Sequence, residues 1–230
     1  MRPTCLAAVV VCAIASGSHD PIATDRRDPP PAAVAAANDS RPRIVVLGDS
    51  LTAGLRLAQD DAYPALLQQR LNAEGLEYEV VNAGVSGDTS AGGLSRLEWA
   101  LDGNVRVLVV ALGGNDALRG LAPDELKRNL EQIIERAQAR AITVVLAGME
   151  APTNFGRDYT TAFHQVFPTL AREYHVALVP FLLAGVAGNQ TLNQRDGIHP
   201  TERGARILAD NVWSVLEPIV AGRQGNTSRD

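Results

Sequence analysis

Five short apolar runs, at 43–47, 79–82, 105–112, 143–146 and 177–181, alternate with segments whose apolar residues recur at helical spacing. A short run of this kind with no polar alternation suits a strand buried on both faces. Leu66, Leu67 and Leu71 mark one face of a helix over 63–73. Leu126, Leu130, Ile133 and Ile134 mark another over 124–139, preceded by Pro123, a favoured first helical residue. Further helices are predicted over 94–101, 159–174 and 200–220. Pro168 is a point where the second of these kinks or splits, and Pro200 opens the third. A Gly- and Asn-containing loop covers 182–196. Strand–helix alternation requires crossover connections, and hence a parallel sheet with helices on both faces, a three-layer α/β fold. The common five-strand order is 2-1-3-4-5, whose switch point lies between the first and third strands. Ligands bind there, outside the carboxyl ends of the strands.

Chemistry-bearing residues cluster at those ends. The first run leads into Gly48-Asp49-Ser50-Leu51, the second into Gly84-Val85-Ser86-Gly87-Asp88, the third into Gly113-Gly114-Asn115-Asp116. A fourth block, Asp196-Gly197-Ile198-His199, precedes the last helix. Ser50 is a candidate nucleophile, which needs an adjacent base to attack a carbonyl. The same serine, after a strand and before a helix, would also serve as an N-cap. The motif is not the Gly-x-Ser-x-Gly elbow, because Thr52 stands where the second glycine would be. His199 is the candidate base. Of the other histidines, His19 precedes the domain, His164 falls in a predicted helix and His175 precedes a strand. Asp196, three residues before His199, is placed to orient the ring, although Asp-Gly is also a common turn pair. Gly87 and Asn115, with the Ser50 backbone N–H, are candidate oxyanion donors. Leu55, Leu118, Pro152 and Phe155, near the motifs, are candidate pocket residues. The small residues Ala53, Gly54 and Gly87 suggest an open cleft, with acyl chains of about four to ten carbons cleaved at similar rates.

Composition narrows the partners. The 230 residues carry a net charge of −5 and show no basic stripe, which argues against nucleic acid. Neither a Gly-x-Gly-x-x-Gly nor a Gly-Lys-Ser/Thr loop is present, so a nucleotide site is not expected. Both cysteines, Cys5 and Cys12, lie in an apolar N-terminal segment too short to span a bilayer. With Arg2 before it and Ala13-Ile14-Ala15 after it, residues 1–15 read as a signal peptide. The protein is then periplasmic or secreted, with no thiol chemistry and no stable membrane insertion after cleavage. A lipoprotein anchored through Cys12 ranks second, because Val11 stands where a small residue is expected. Residues 16–40, Pro- and Ala-rich, read as a disordered tether, 41–223 as the folded domain and 224–230 as a disordered tail.

Together the four blocks resemble those of the SGNH, or GDSL, hydrolases, in particular the bacterial thioesterase I, lysophospholipase and arylesterase branch. The likeness covers nearly all of 43–220 and extends to Leu118-Arg119-Gly120 and to 152–157. It implies a flavodoxin-like sheet, a triad of Ser50, Asp196 and His199, and an oxyanion hole of Ser50, Gly87 and Asn115. It further implies a small-molecule acyl ester or thioester substrate and no metal or cofactor. Two alternatives remain: a carbohydrate O-acetylesterase with the same machinery, and a catalytically silent binding module.

Overall fold

The computed structural model describes residues 41–227; the predicted signal peptide, the tether and the last three residues lie outside the described residues. Five strands form one sheet: β1 (Arg43–Gly48), β2 (Glu79–Gly84), β3 (Val105–Ala111), β4 (Thr143–Ala147) and β5 (Ala177–Val179). All pairings are parallel and the order is β2-β1-β3-β4-β5, as the alternation of runs predicts. From Ile44 in β1, Val107 in β3 and Val144 in β4 the central strands are apolar, because both faces are covered there. Ile44 to Leu47 and Val107 to Leu112 have essentially no exposed surface. β2, at the edge, is only half-buried along most of its length.

The order dictates where the helices go. The β1-to-β2 crossover steps one way across the sheet and the later crossovers step the other way. Right-handed connections therefore put their helices on opposite faces. Accordingly α2 (Tyr63–Ala73) packs with α8 (Glu202–Thr227), while α3 (Ser90–Ser95), α6 (Pro123–Gln138) and α7 (Arg157–Glu173) pack together. α6 buries Leu126, Leu130, Ile133, Ile134 and Ala137, the face that its spacing predicts.

Several boundaries differ from expectation. The helix predicted over 94–101 is two short ones, α3 and α4 (Leu97–Ala100). α3 starts earlier because Thr89 caps it, and the chain breaks at Arg96, whose guanidinium donates to Asp88 and to the Gly48 carbonyl. α7 runs unbroken through Pro168. One missing hydrogen bond is outweighed by the buried Phe163, Val166, Phe167 and Leu170 on its inner face. α8 starts two residues after Pro200 and continues past 220 to Thr227.

The carboxyl ends of β1, β2 and β3 lie level, since Gly48 is in register with both Gly84 and Ala111. A four-residue helix, α1 (Ser50–Ala53), follows β1 directly. Gly84 lets it settle against β2. A Cβ there would lie 2.2 Å from the Ala53 nitrogen and 2.8 Å from its Cα, both backbone atoms. Thr52, buried in α1, shares a 2.7 Å hydrogen bond with the buried Tyr63 hydroxyl, which ties α1 to α2.

Candidate active site

Each of the four blocks projects from a different segment onto this one edge. Ser50 is the first residue of α1 and only 9% exposed. Its Oγ lies 2.9 Å from His199 Nε2. His199 Nδ1 lies 3.0 Å from Asp196 Oδ2. An ionised carboxylate only accepts, so Nδ1 carries the ring proton and Nε2 is left free to accept from Ser50. Asp196 Oδ1 meanwhile accepts from the backbone N–H groups of Ile198, at 3.2 Å, and His199, at 3.1 Å. The His199 N–H first, and then its ring, hold the Asp196 carboxyl well below the usual carboxylate range. The Asp-Gly turn and the triad geometry therefore coexist in one loop.

That loop is pinned by residues that the motifs did not flag. Gln194 Nε2 donates to the carbonyls of Leu55, at 2.8 Å, and Pro200, at 2.9 Å, and its backbone N–H donates to the His199 carbonyl at 2.7 Å. Arg56, at a left-handed φ of 62°, donates from Nη1 to Asp196 Oδ2 at 2.6 Å. The oxygen that orients His199 thus also carries a salt bridge.

Asn115 lies at the start of α5 (Gly114–Leu118), an element not foreseen, which follows β3. Its Nδ2 donates to Asp49 Oδ2 at 3.1 Å and to the Asp88 carbonyl at 3.0 Å. Asp116, the next motif residue, is 1% exposed and turns inward. It accepts from the Ser90 N–H at 2.8 Å and the Ser90 hydroxyl at 2.6 Å, so its part is to fasten α5 to α3. Gly87 takes φ 89°, a conformation that other residues rarely adopt, and its carbonyl accepts from Arg119 Nη2 at 2.7 Å.

Asp49, which the sequence shows only as the neighbour of Ser50, is 2% exposed. Burial pushes its carboxyl up to about 6, opposed by the Leu51 N–H, the charge of His199 and the Asn115 amide.

Ser50, Asn115 and His199 open onto a cavity of about 330 Å³. Its apolar wall includes Leu51, Leu118, Met149, Pro152, Phe181 and Ile198. Of the four candidate pocket residues, Leu118 and Pro152 line it and two do not. Leu55 lines an adjoining small crevice, with Ala205 and Leu208, that Ser50 and His199 also border. Phe155 packs against Gly120, with its ring 5.2 Å from that of Tyr159. Ala53, Gly54 and Gly87 do not line the cavity either. Gly54 is small because a Cβ there would lie 2.6 Å from that of Ala62, and Ala53 presents its backbone to Gly84. The expectation of an open cleft therefore rested on residues outside this cavity, of which Gly54 serves packing and Gly87 a positive φ. Met149 and Phe181, each two residues past a strand end, were legible from the sheet-edge rule alone.

The sequence model of the GDSL-like lipase/acylhydrolase family matches residues 46–207, most of the chain and all four blocks. The chain belongs to this family. It is an ester hydrolase of the SGNH type. Among its relatives, esterase TesA of Pseudomonas aeruginosa is 46% identical over 178 residues, which cover 77% of this chain and 89% of that protein. Thioesterase 1/protease 1/lysophospholipase L1 of Escherichia coli K12 is 40% identical over 187 residues, 81% of this chain and 87% of that one. Among solved structures, AlinE4, an SGNH-hydrolase family esterase, superposes with a TM-score of 0.66 at 44% identity, over 76% of this chain and 93% of that chain.

Proposed function

We propose that this hydrolase is an exported enzyme that cleaves small-molecule carboxylic esters or thioesters through a Ser50 acyl-enzyme. Ser50 Oγ attacks the acyl carbonyl as its proton passes to His199 Nε2, and Asp196 stabilises the resulting imidazolium. The Oγ–C bond forms and the carbonyl oxygen becomes an oxyanion, which accepts from the Ser50 and Gly87 N–H groups and the Asn115 amide. The C–O or C–S bond then breaks and His199 returns the proton to the leaving group. Water repeats the sequence, giving up its proton to His199, and releases the acid and free Ser50.

One observation carries this reading: the hydrogen-bonded chain Ser50–His199–Asp196 ends on an apolar cavity. The N-cap of α1 is Asp49 and not Ser50, so capping does not account for a serine with an imidazole at 2.9 Å. The cavity, about 330 Å³, falls at the small end of ligand pockets and suits a medium acyl chain. Residues 1–15 support export, and among the described residues no helix is long and apolar enough to cross a membrane.

The test is a fluorophosphonate probe with p-nitrophenyl butyrate and an acyl thioester, on wild type and Ser50→Ala. The variant should fold, fail to label and lose turnover by on the order of 10³-fold or more on either substrate. Turnover near wild type in the folded variant rejects the mechanism.

A further inference from the structure

Asp49 has one carboxylate oxygen more than its local structure needs. Its Oδ1 caps α1 by accepting from the Leu51 N–H at 3.0 Å. A hydroxyl does that job as well, and the same chain uses Thr89 in this way to cap α3. A buried carboxylate is the costlier choice, because desolvating its charge is unfavourable. The second oxygen, Oδ2, faces the Asn115 amide at 3.1 Å. Room for it depends on Gly114, where a Cβ would lie 3.1 Å from that oxygen.

The Asn115 amide has no shape that distinguishes its oxygen from its nitrogen, so its orientation is set by its partners. Asp49 Oδ2 and the Asp88 carbonyl are both acceptors. Both repel the amide oxygen and both attract the N–H groups. The Asp88 carbonyl is held in turn by its own residue: Arg96 Nε reaches Asp88 Oδ2 at 2.6 Å, and Arg96 Nη2 reaches the Gly48 carbonyl at 2.9 Å.

We propose that Asp49 is a positioning residue for the oxyanion hole: its second carboxylate oxygen locks the Asn115 amide with its N–H groups toward Ser50. The oxyanion enters as a further acceptor on one of these N–H groups, in a three-centre arrangement. With Oδ2 gone, only the Asp88 carbonyl orients the amide, which then presents its oxygen to the reaction part of the time. The inference rests on the Ser50 mechanism above and on Asn115 as an oxyanion donor.

The experiment is a double-mutant cycle on the full chain with p-nitrophenyl butyrate. Asp49→Ser keeps a cap for Leu51 and removes the Asn115 acceptor. It should lower kcat by about 10- to 100-fold with KM within about threefold, because the lost alignment matters in the transition state. Asn115→Ala alone should lower kcat by roughly 10²–10³-fold. Asp49→Ser added to Asn115→Ala should cost less than about threefold more, since the two residues act through one hydrogen bond. A merely structural Asp49 would instead give penalties that multiply. Asp49→Asn is the second variant, should the serine variant not fold. Its single carbonyl oxygen can serve Leu51 or Asn115 but not both, and the same kcat loss is expected. Wild-type kcat in either folded variant, or multiplying penalties in the cycle, overturns the inference and leaves the Ser50 mechanism standing. Wild-type kcat in Asn115→Ala removes the oxyanion role and this inference with it. Wild-type turnover in Ser50→Ala removes the reading beneath both.

Discussion

Asp49 should make the protein less stable as pH rises, and the size of the effect follows from its burial. Its carboxyl is raised from 3.8 to about 6 in the fold. Between those values the folded state holds a proton that the unfolded chain has already released, so unfolding becomes easier with each increment of pH. Below 3.8 the group is neutral in both states and contributes no difference. Above 6 it is charged in both, and the full desolvation cost has been incurred. At about 1.36 kcal/mol per unit of pKa, the interval amounts to about 3 kcal/mol. Asp49→Ser lacks this cost at every pH while keeping the α1 cap. Its absolute stability relative to wild type depends on the lost Asn115 contact and on repacking. The pH dependence of the difference follows from the carboxyl and from its interaction with the charge of His199. The assay is urea unfolding of both proteins from pH 4 to pH 8 at constant ionic strength. The stability of the variant relative to wild type should rise by about 2–3 kcal/mol across that range. A difference constant to within about 0.5 kcal/mol would mean that Asp49 titrates alike folded and unfolded, and would refute the argument. A change of the opposite sign would mean that the fold stabilises the charge.

Two further outcomes are expected. Asp196→Asn leaves an amide opposite His199 Nδ1, permits the wrong ring tautomer and should lower kcat by on the order of 10⁴-fold in a folded protein, measured with p-nitrophenyl butyrate; a loss under tenfold would show that Asp196 does not set the tautomer. Lengthening the acyl chain into the apolar cavity should raise kcat/KM by about fourfold per methylene, from about 0.8 kcal/mol each, until the cavity beside Met149 and Phe181 is filled; a profile flat from butyrate to decanoate would restore the open cleft first expected from Ala53 and Gly54.

Much of this was legible in the sequence because the information is local there. A stretch of strand buried on both faces is apolar, and 44–47 and 107–112 announce themselves in that way. The common order for such an alternation, 2-1-3-4-5, then marks the edge at which Ser50 and Asn115 meet, and crossover handedness sets which face each helix covers. The boundaries that moved depend on distant partners. Arg96 breaks a helix because Asp88 and the end of β1 take its guanidinium, and Pro168 fails to break one because four buried side chains hold it.

Small residues were misread for a related reason. Ala53, Gly54 and Gly87 stand near the motifs in the chain, and nearness in sequence suggests a spacious site. In the fold Gly84 lets α1 press against β2 and Gly54 lets the end of α1 approach Ala62 at the start of α2, which brings Ser50 up to the sheet edge. The space for a substrate comes instead from residues after β4 and β5, about 100 positions or more from Ser50 in the chain. Asp49 evaded the sequence for the opposite reason. As an N-cap it has a sufficient local explanation, and only the partner of its second oxygen, 66 residues away, shows that the local explanation is incomplete. A residue with two polar atoms can satisfy a local motif with one and join a distant network with the other. The motif around Ser50 therefore holds two kinds of information: the helix start, which its neighbours reveal, and the alignment of Asn115, which only the assembled sheet edge reveals.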